Sequence, residues 1–95
     1  MKRKWPRLLW DYGLDPEKRF DAPALRLAYD VLHNRPDRIH RVLQLRAHHA
    51  TFRQIAEICY RIWPDGRDDW RGNQLAGGAL FEVADAFYRS SSRAV

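Results

Sequence analysis

With 95 residues at 45% hydrophobic content, the chain can build one domain around one compact core and little more. Seventeen lysines and arginines against twelve acids, a formal net charge of +5, make nucleic acid the first partner to consider. One cysteine, Cys59, excludes an intrachain disulfide and fits a reducing compartment, no apolar run nears the ~18 residues of a membrane span, and the basic start lacks the apolar core of a signal peptide, so a cytoplasmic location without membrane contact is expected.

Residues 1–20 carry four basic residues in the first seven and aromatics broken by Pro6, Gly13 and Pro16. They read as an arm with one short turn of helix at most. Trp5, Trp10 and Phe20 are too apolar for a wholly solvated tail, so part of the arm is expected to pack on a domain spanning 21–90. Asp21 can cap a first helix over about 22–34, with Pro23 in its first turn and Leu25, Ala28, Tyr29 and Leu32 at helical spacing. Pro36 restarts the chain. Ile39, Val42, Leu43 and Arg46 mark a second helix whose other side carries Arg38, Arg41 and the histidines.

Thr51 and Gln54 form a T-x-x-Q capping box at the start of a third helix, with Ile55, Ala56, Ile58, Cys59 and Ile62 as its apolar set. Pro64 and Gly66 end it. After the PDGRDD loop, Leu75, Ala79, Leu80, Val83, Ala84 and Phe87 predict a fourth and longest helix over Trp70–Tyr88. Gly77 and Gly78 would each cost roughly 1 kcal/mol against alanine inside it, which points to close backbone packing or a kink. The tail 91–95 is expected to fray. No strand pattern, repeat or linker appears, and the fold expected is all-α with approximately four helices.

The constellations that could carry chemistry do not assemble. His33, His40, His48 and His49 form no H-x-x-x-H pair, Cys59 lacks a second cysteine, and no carboxylate completes a ligand set. Cys59 sits on the apolar face of its helix, where a small buried residue is wanted. Gly72, Gly77 and Gly78 follow no strand and precede no G-K-[ST], so no phosphate loop is present. The expectation is a protein without catalytic residues, cofactor or metal.

The run HHATFRQIAEICY, a long loop ending in Trp70, and a last helix running to Tyr88 and Arg89 resemble the extended-turn helix-turn-helix domain of conjugative-element regulators, over about residues 37–90. The best-matching part is Ala50, Thr51, Gln54, Ile55 and Ala56, followed at a distance by Trp70. The resemblance implies a small helix-turn-helix variant with an extended turn before the last helix. In FseA-like transcriptional activators this domain resembles the DNA-binding half. In QseM-like antiactivators it stands alone, binds the activator and blocks activation of transfer genes. A chain of this length resembles the second kind, so the partner implied is an FseA-like activator protein, with a TraR-like quorum-sensing receptor as a second possibility.

Charge separates these roles. Within 64–88, Arg67 and Arg71 face five acids, Asp65, Asp68, Asp69, Glu82 and Asp85. Carboxylates oppose the counterion release that drives phosphate binding, and Arg71, Asn73 and Gln74 are the few base-reading side chains near the start of the last helix. A protein-facing surface is therefore expected, built on Trp63, Asp65, Asp68, Asp69, Trp70, Phe81, Glu82 and Asp85, with Phe81 the most exposed aromatic and Phe87 and Trp70 largely in the core. The alternative, a DNA-binding regulator, would use Lys2, Arg3, Lys4, Arg38, Arg41 and Arg46, with Arg71, Asn73 and Gln74 at the bases.

Overall fold

Around one long helix, α5 (Gln74–Arg93), the chain winds four others: α1 (Arg7–Asp11), α2 (Ala22–Leu32), α3 (Pro36–Ala47) and α4 (Phe52–Ile62). The computed structural model describes residues 5–93, so Lys2, Arg3 and Lys4 lie outside the described residues. Two 3-10 turns, Pro16–Lys18 and Asp68–Trp70, complete the regular structure, and no strand occurs among the described residues. The fold is all-helical, as its periodicity predicts. None of the described helices is long and apolar enough to cross a membrane.

The α5 helix packs on each of the other four. Its buried face is Ala76, Ala79, Leu80, Val83, Ala84 and Ala86. Small residues on so much of that face let neighbouring helices approach closely, and at Gly77 the approach is closest. A Cβ there would overlap the Phe52 carbonyl at the first residue of α4, whereas at Gly78 it would only touch the Phe52 ring at 3.6 Å. Facing α5, the core takes Leu25, Val31 and Leu32 from α2, Val42 from α3, and Ile55, Cys59 and Tyr60 from α4.

Several boundaries differ from those the sequence predicts. The α2 helix stops at Leu32, because Asn34 turns into the left-handed region at φ 60° before Pro36 starts α3. Asp21 stands at the N-cap of α2 but makes no side-chain cap; its buried carboxylate accepts from Arg19 instead. The α5 helix begins at Gln74 rather than Trp70, since Asn73 Oδ1 accepts from the Ala76 amide at 3.0 Å and caps it there. At its other end α5 continues through Arg93, past the point where fraying was expected. The Thr51–Gln54 capping box forms with both of its hydrogen bonds.

The arm is more ordered than its Pro and Gly content suggests. Leu9 of α1 is fully buried and Leu14 nearly so, and they anchor the segment. Of the aromatics expected to do this, Trp5 is half-buried against the core, whereas Trp10 is 44% exposed and Phe20 84%. Ile62 and Leu75, expected on apolar faces, are also about half exposed.

Candidate interaction surface

The connection between α4 and α5 is held by charge. Arg38 of α3 donates to the Val31 carbonyl at 2.9 Å and to the Asp65 carboxylate at 3.0 Å, with its guanidinium 4.7 Å above the Trp63 ring. It thereby ties the end of α2 to the loop that follows α4. Arg67 grips Asp69 with two hydrogen bonds, at 3.1 and 2.6 Å, and lies over the Trp70 ring. Arg71 bridges Asp68 at 3.2 Å and Glu57 of α4 at 3.0 Å. The hydrogen bonds from their arginines hold the Asp65 and Asp69 carboxyls below the ordinary carboxylate range.

Farther along α5 the same pattern recurs. Arg19 donates to Asp21 at 3.0 and 2.9 Å and to Glu82 at 2.8 Å, fastening the end of the arm to α5. Asp85 pairs with Arg89 one turn on, at 2.9 Å. Each of the five acids of segment 64–88 thus has an arginine partner, and three of those partners, Arg38, Arg19 and Arg89, come from outside the segment. An acidic stretch in the sequence becomes a neutralised one in the fold.

This changes what the predicted partner-binding residues can do. Trp63 is buried rather than exposed, because the chain turns at Pro64 and Arg38 and Tyr60 close over the ring. Trp70 is half-buried against the edge of Tyr60. Phe81 is half-buried too, stacked at 6.1 Å on Phe52, so Tyr88, 60% exposed, is the more accessible aromatic of α5. Asp65, Asp68, Asp69 and Trp70 all lie in the connection between α4 and α5, while Phe81, Glu82 and Asp85 lie on α5, each half-buried.

The predicted DNA-contacting residues are similarly divided. Arg38 and Arg71 are engaged as described, and Arg46 stands 4.3 Å over the Phe52 ring and donates to the Ala50 carbonyl. Asn73 is the cap of α5. Arg41 and Gln74 remain exposed and uncommitted. The remaining helical arginines with intrahelical partners are Arg7, on Asp11, and Arg26, on Asp30.

Of the unpaired set, sequence reasoning names Arg41 and misses the other three. Arg35, Arg41, Arg53 and Arg61 are exposed and form no ion pair among the described residues, and all four belong to α3, its N-cap, or α4. The four-residue steps 53, 57 and 61, on the side of α4 away from Ile55 and Cys59, were a visible signal; that other arginines were spent on distant acids was not.

The α3 helix is also the least embedded of the longer helices, with Val42 its one fully buried residue. One open groove borders it toward α5, and another lies at its C-terminal end beside the start of α4. Toward α5, Ile39, Leu43, Ala47, Phe87 and Tyr88 line one of about 620 Å³. Toward α4, Leu45, Ala50 and Ile58 line another of about 570 Å³, with His48, His49 and Gln54 around them. Cys59 lies fully buried between the helices, and burial pushes its thiol up to about 12, so it carries no nucleophilic chemistry. Among the described residues no three His, Cys, Asp or Glu side chains are grouped to hold a metal ion. Compared with protein-family models, with curated proteins and with solved structures, the chain gives no match in any of the three.

Proposed function

We propose that this protein is an antiactivator, a helix-turn-helix variant that binds a transcriptional activator of conjugative or integrative element transfer and so restrains the transfer genes. The FseA-like partner follows from the resemblance of residues 37–90. The observation that carries the reading is the ion pairing of segment 64–88. Arg67 and Arg71, the cations nearest the start of α5, are both bound to carboxylates, and Asn73 is used as a cap. A helix entering a DNA groove needs such groups free for phosphates and base edges. What stays open beside α3 are grooves with apolar floors, which suit a protein.

A second reading, a DNA-binding helix-turn-helix regulator, is favoured by one observation, the unpaired Arg35, Arg41, Arg53 and Arg61. Fluorescence anisotropy of labelled duplex DNA, including transfer-gene promoter sequence, separates the two. The antiactivator reading expects a weak background erased by salt. Sub-micromolar binding near physiological salt, with a steep log-log salt slope, overturns it.

A further inference from the structure

The ion pairs sort the arginines of this chain by location. On α1, on α2, in the connection before α5 and on α5 itself, every arginine with a described side chain has a carboxylate partner. Among the described arginines, the exposed ones without a carboxylate partner lie on α3, at its N-cap or on α4.

Between those two helices lies an apolar strip. Leu45 of α3 and Ile58 of α4, both half-buried, face one another across the groove, and one turn farther along α4 Ile62 is 48% exposed. Cations flank the strip. Arg41 stands one turn before Leu45 on α3, and Arg61 stands next to Ile62 on α4, both exposed. The carboxylate nearest to this groove, Glu57, is already neutralised by Arg71.

We infer that the α3–α4 groove is a docking site for one amphipathic helix of a partner protein, whose apolar stripe covers Leu45, Ile58 and Ile62 and whose flanking carboxylates meet Arg41 and Arg61. This rests on the reading of the domain as a protein-binding module and names the chemistry of what it binds. Charge complementarity selects an acidic partner: Arg35, Arg41, Arg53 and Arg61, at or on the α3–α4 pair, are exposed without a carboxylate partner against one such carboxylate, Asp37, while Glu57 in the groove is paired with Arg71. The apolar floor selects a protein over a phosphate backbone, which would leave three large aliphatic side chains uncovered.

A yeast-displayed library of helix-forming 16-residue peptides, sorted against the full chain, tests this. The enriched peptides are expected to carry net negative charge and apolar residues at three- and four-residue steps. Arg41→Glu/Arg61→Glu should weaken the best of them at least tenfold in anisotropy titrations, and Ile62→Lys should do the same. Tyr88→Ala, in the other groove of α3, should change binding less than twofold. Both arginines are exposed and unpaired, so the double variant should keep the wild-type thermal midpoint; Ile62→Lys supplies the test if it does not. Enriched peptides without an acidic excess, or binding that survives both the charge reversal and Ile62→Lys, overturn the inference while leaving the docking reading intact. An empty selection overturns it as well. If duplex DNA is then bound and is released by the same double reversal, the face is a phosphate surface and the docking reading falls with it.

Discussion

The Phe52 carbonyl occupies the space that a Cβ on Gly77 would need, so the first residue of α4 rests directly on the backbone of α5. Neither backbone can move without disturbing a helix packed on both sides. Gly77→Ala is therefore expected to cost at least about 3 kcal/mol, despite alanine's better helix propensity. Its neighbour gives the internal control. Gly78→Ala places a methyl in ordinary contact with the Phe52 ring and should be neutral or stabilising by up to about 1 kcal/mol. Urea denaturation of the two variants decides; similar effects at both positions would contradict the close crossing.

Arg38 is a structural residue before it is a binding one. Removing it leaves the Val31 carbonyl, the Asp65 carboxylate and the Trp63 face without their shared partner, so Arg38→Ala should destabilise by about 1–3 kcal/mol. A loss of DNA or protein binding in an Arg38 variant is uninformative unless its thermal midpoint is unchanged.

The pairing of Arg38 with Asp65 has a pH signature. Asp65 is held below its ordinary value, chiefly by the hydrogen bond from Arg38, so the folded state keeps its charge to lower pH than the unfolded state does. The resulting stability is present above about pH 4 and is lost as pH falls further. Thermal midpoints measured from pH 6 to 3 should fall less steeply in Arg38→Ala than in the wild type, an equal slope being the contrary result.

Cys59 provides the opposite sign. Burial raises its thiol from an ordinary 9.0 to about 12, so the folded state holds a neutral thiol after the unfolded state has ionised. That contribution to stability is complete below pH 9 and disappears as pH rises from there toward 12. Cys59→Ala should flatten the decline at its onset. At pH 8 a disulfide reagent such as DTNB should modify wild-type Cys59 no faster than the protein unfolds; rapid labelling would show a thiol open to solvent.

The Tyr60 hydroxyl is buried without a protein hydrogen-bond partner, while its ring meets Trp63 and Trp70 edge-on. Tyr60→Phe keeps the ring contacts and removes a polar group that has lost its water. It should leave stability unchanged or raise it by up to about 1 kcal/mol, measured by calorimetry, and a clear loss would mean that the hydroxyl is satisfied in solution.

Local signals in the sequence proved readable and distant ones did not. The Thr51–Gln54 box spans three residues and could be read directly, as could the restart at Pro36. Asn73 is an equally local cap, but the apolar spacing alone carries the expected helix start to Trp70, four residues too early. Arg38 and Asp65 lie 27 residues apart, and Arg19 and Glu82 lie 63 apart. No spacing rule joins such pairs, so counting charges along 64–88 gave an acidic surface where the fold makes a neutral one. For the same reason the sequence could count the arginines without separating those that hold the fold together from those left at its surface. Trp63 does not read as buried in the sequence because Arg38, which closes over it together with Tyr60, comes from α3.

Because α5 packs on every other helix, the order in which the chain is synthesised matters. While α1 to α4 leave the ribosome, Leu25, Val31, Ile55 and Cys59 have no α5 surface to settle on. The nascent domain must wait, with its apolar faces open to chaperones or to premature partners, until the last helix emerges. Folding of this domain is thus tied to the emergence of α5, and a ribosome stalled before residue 74 would hold a domain unable to close.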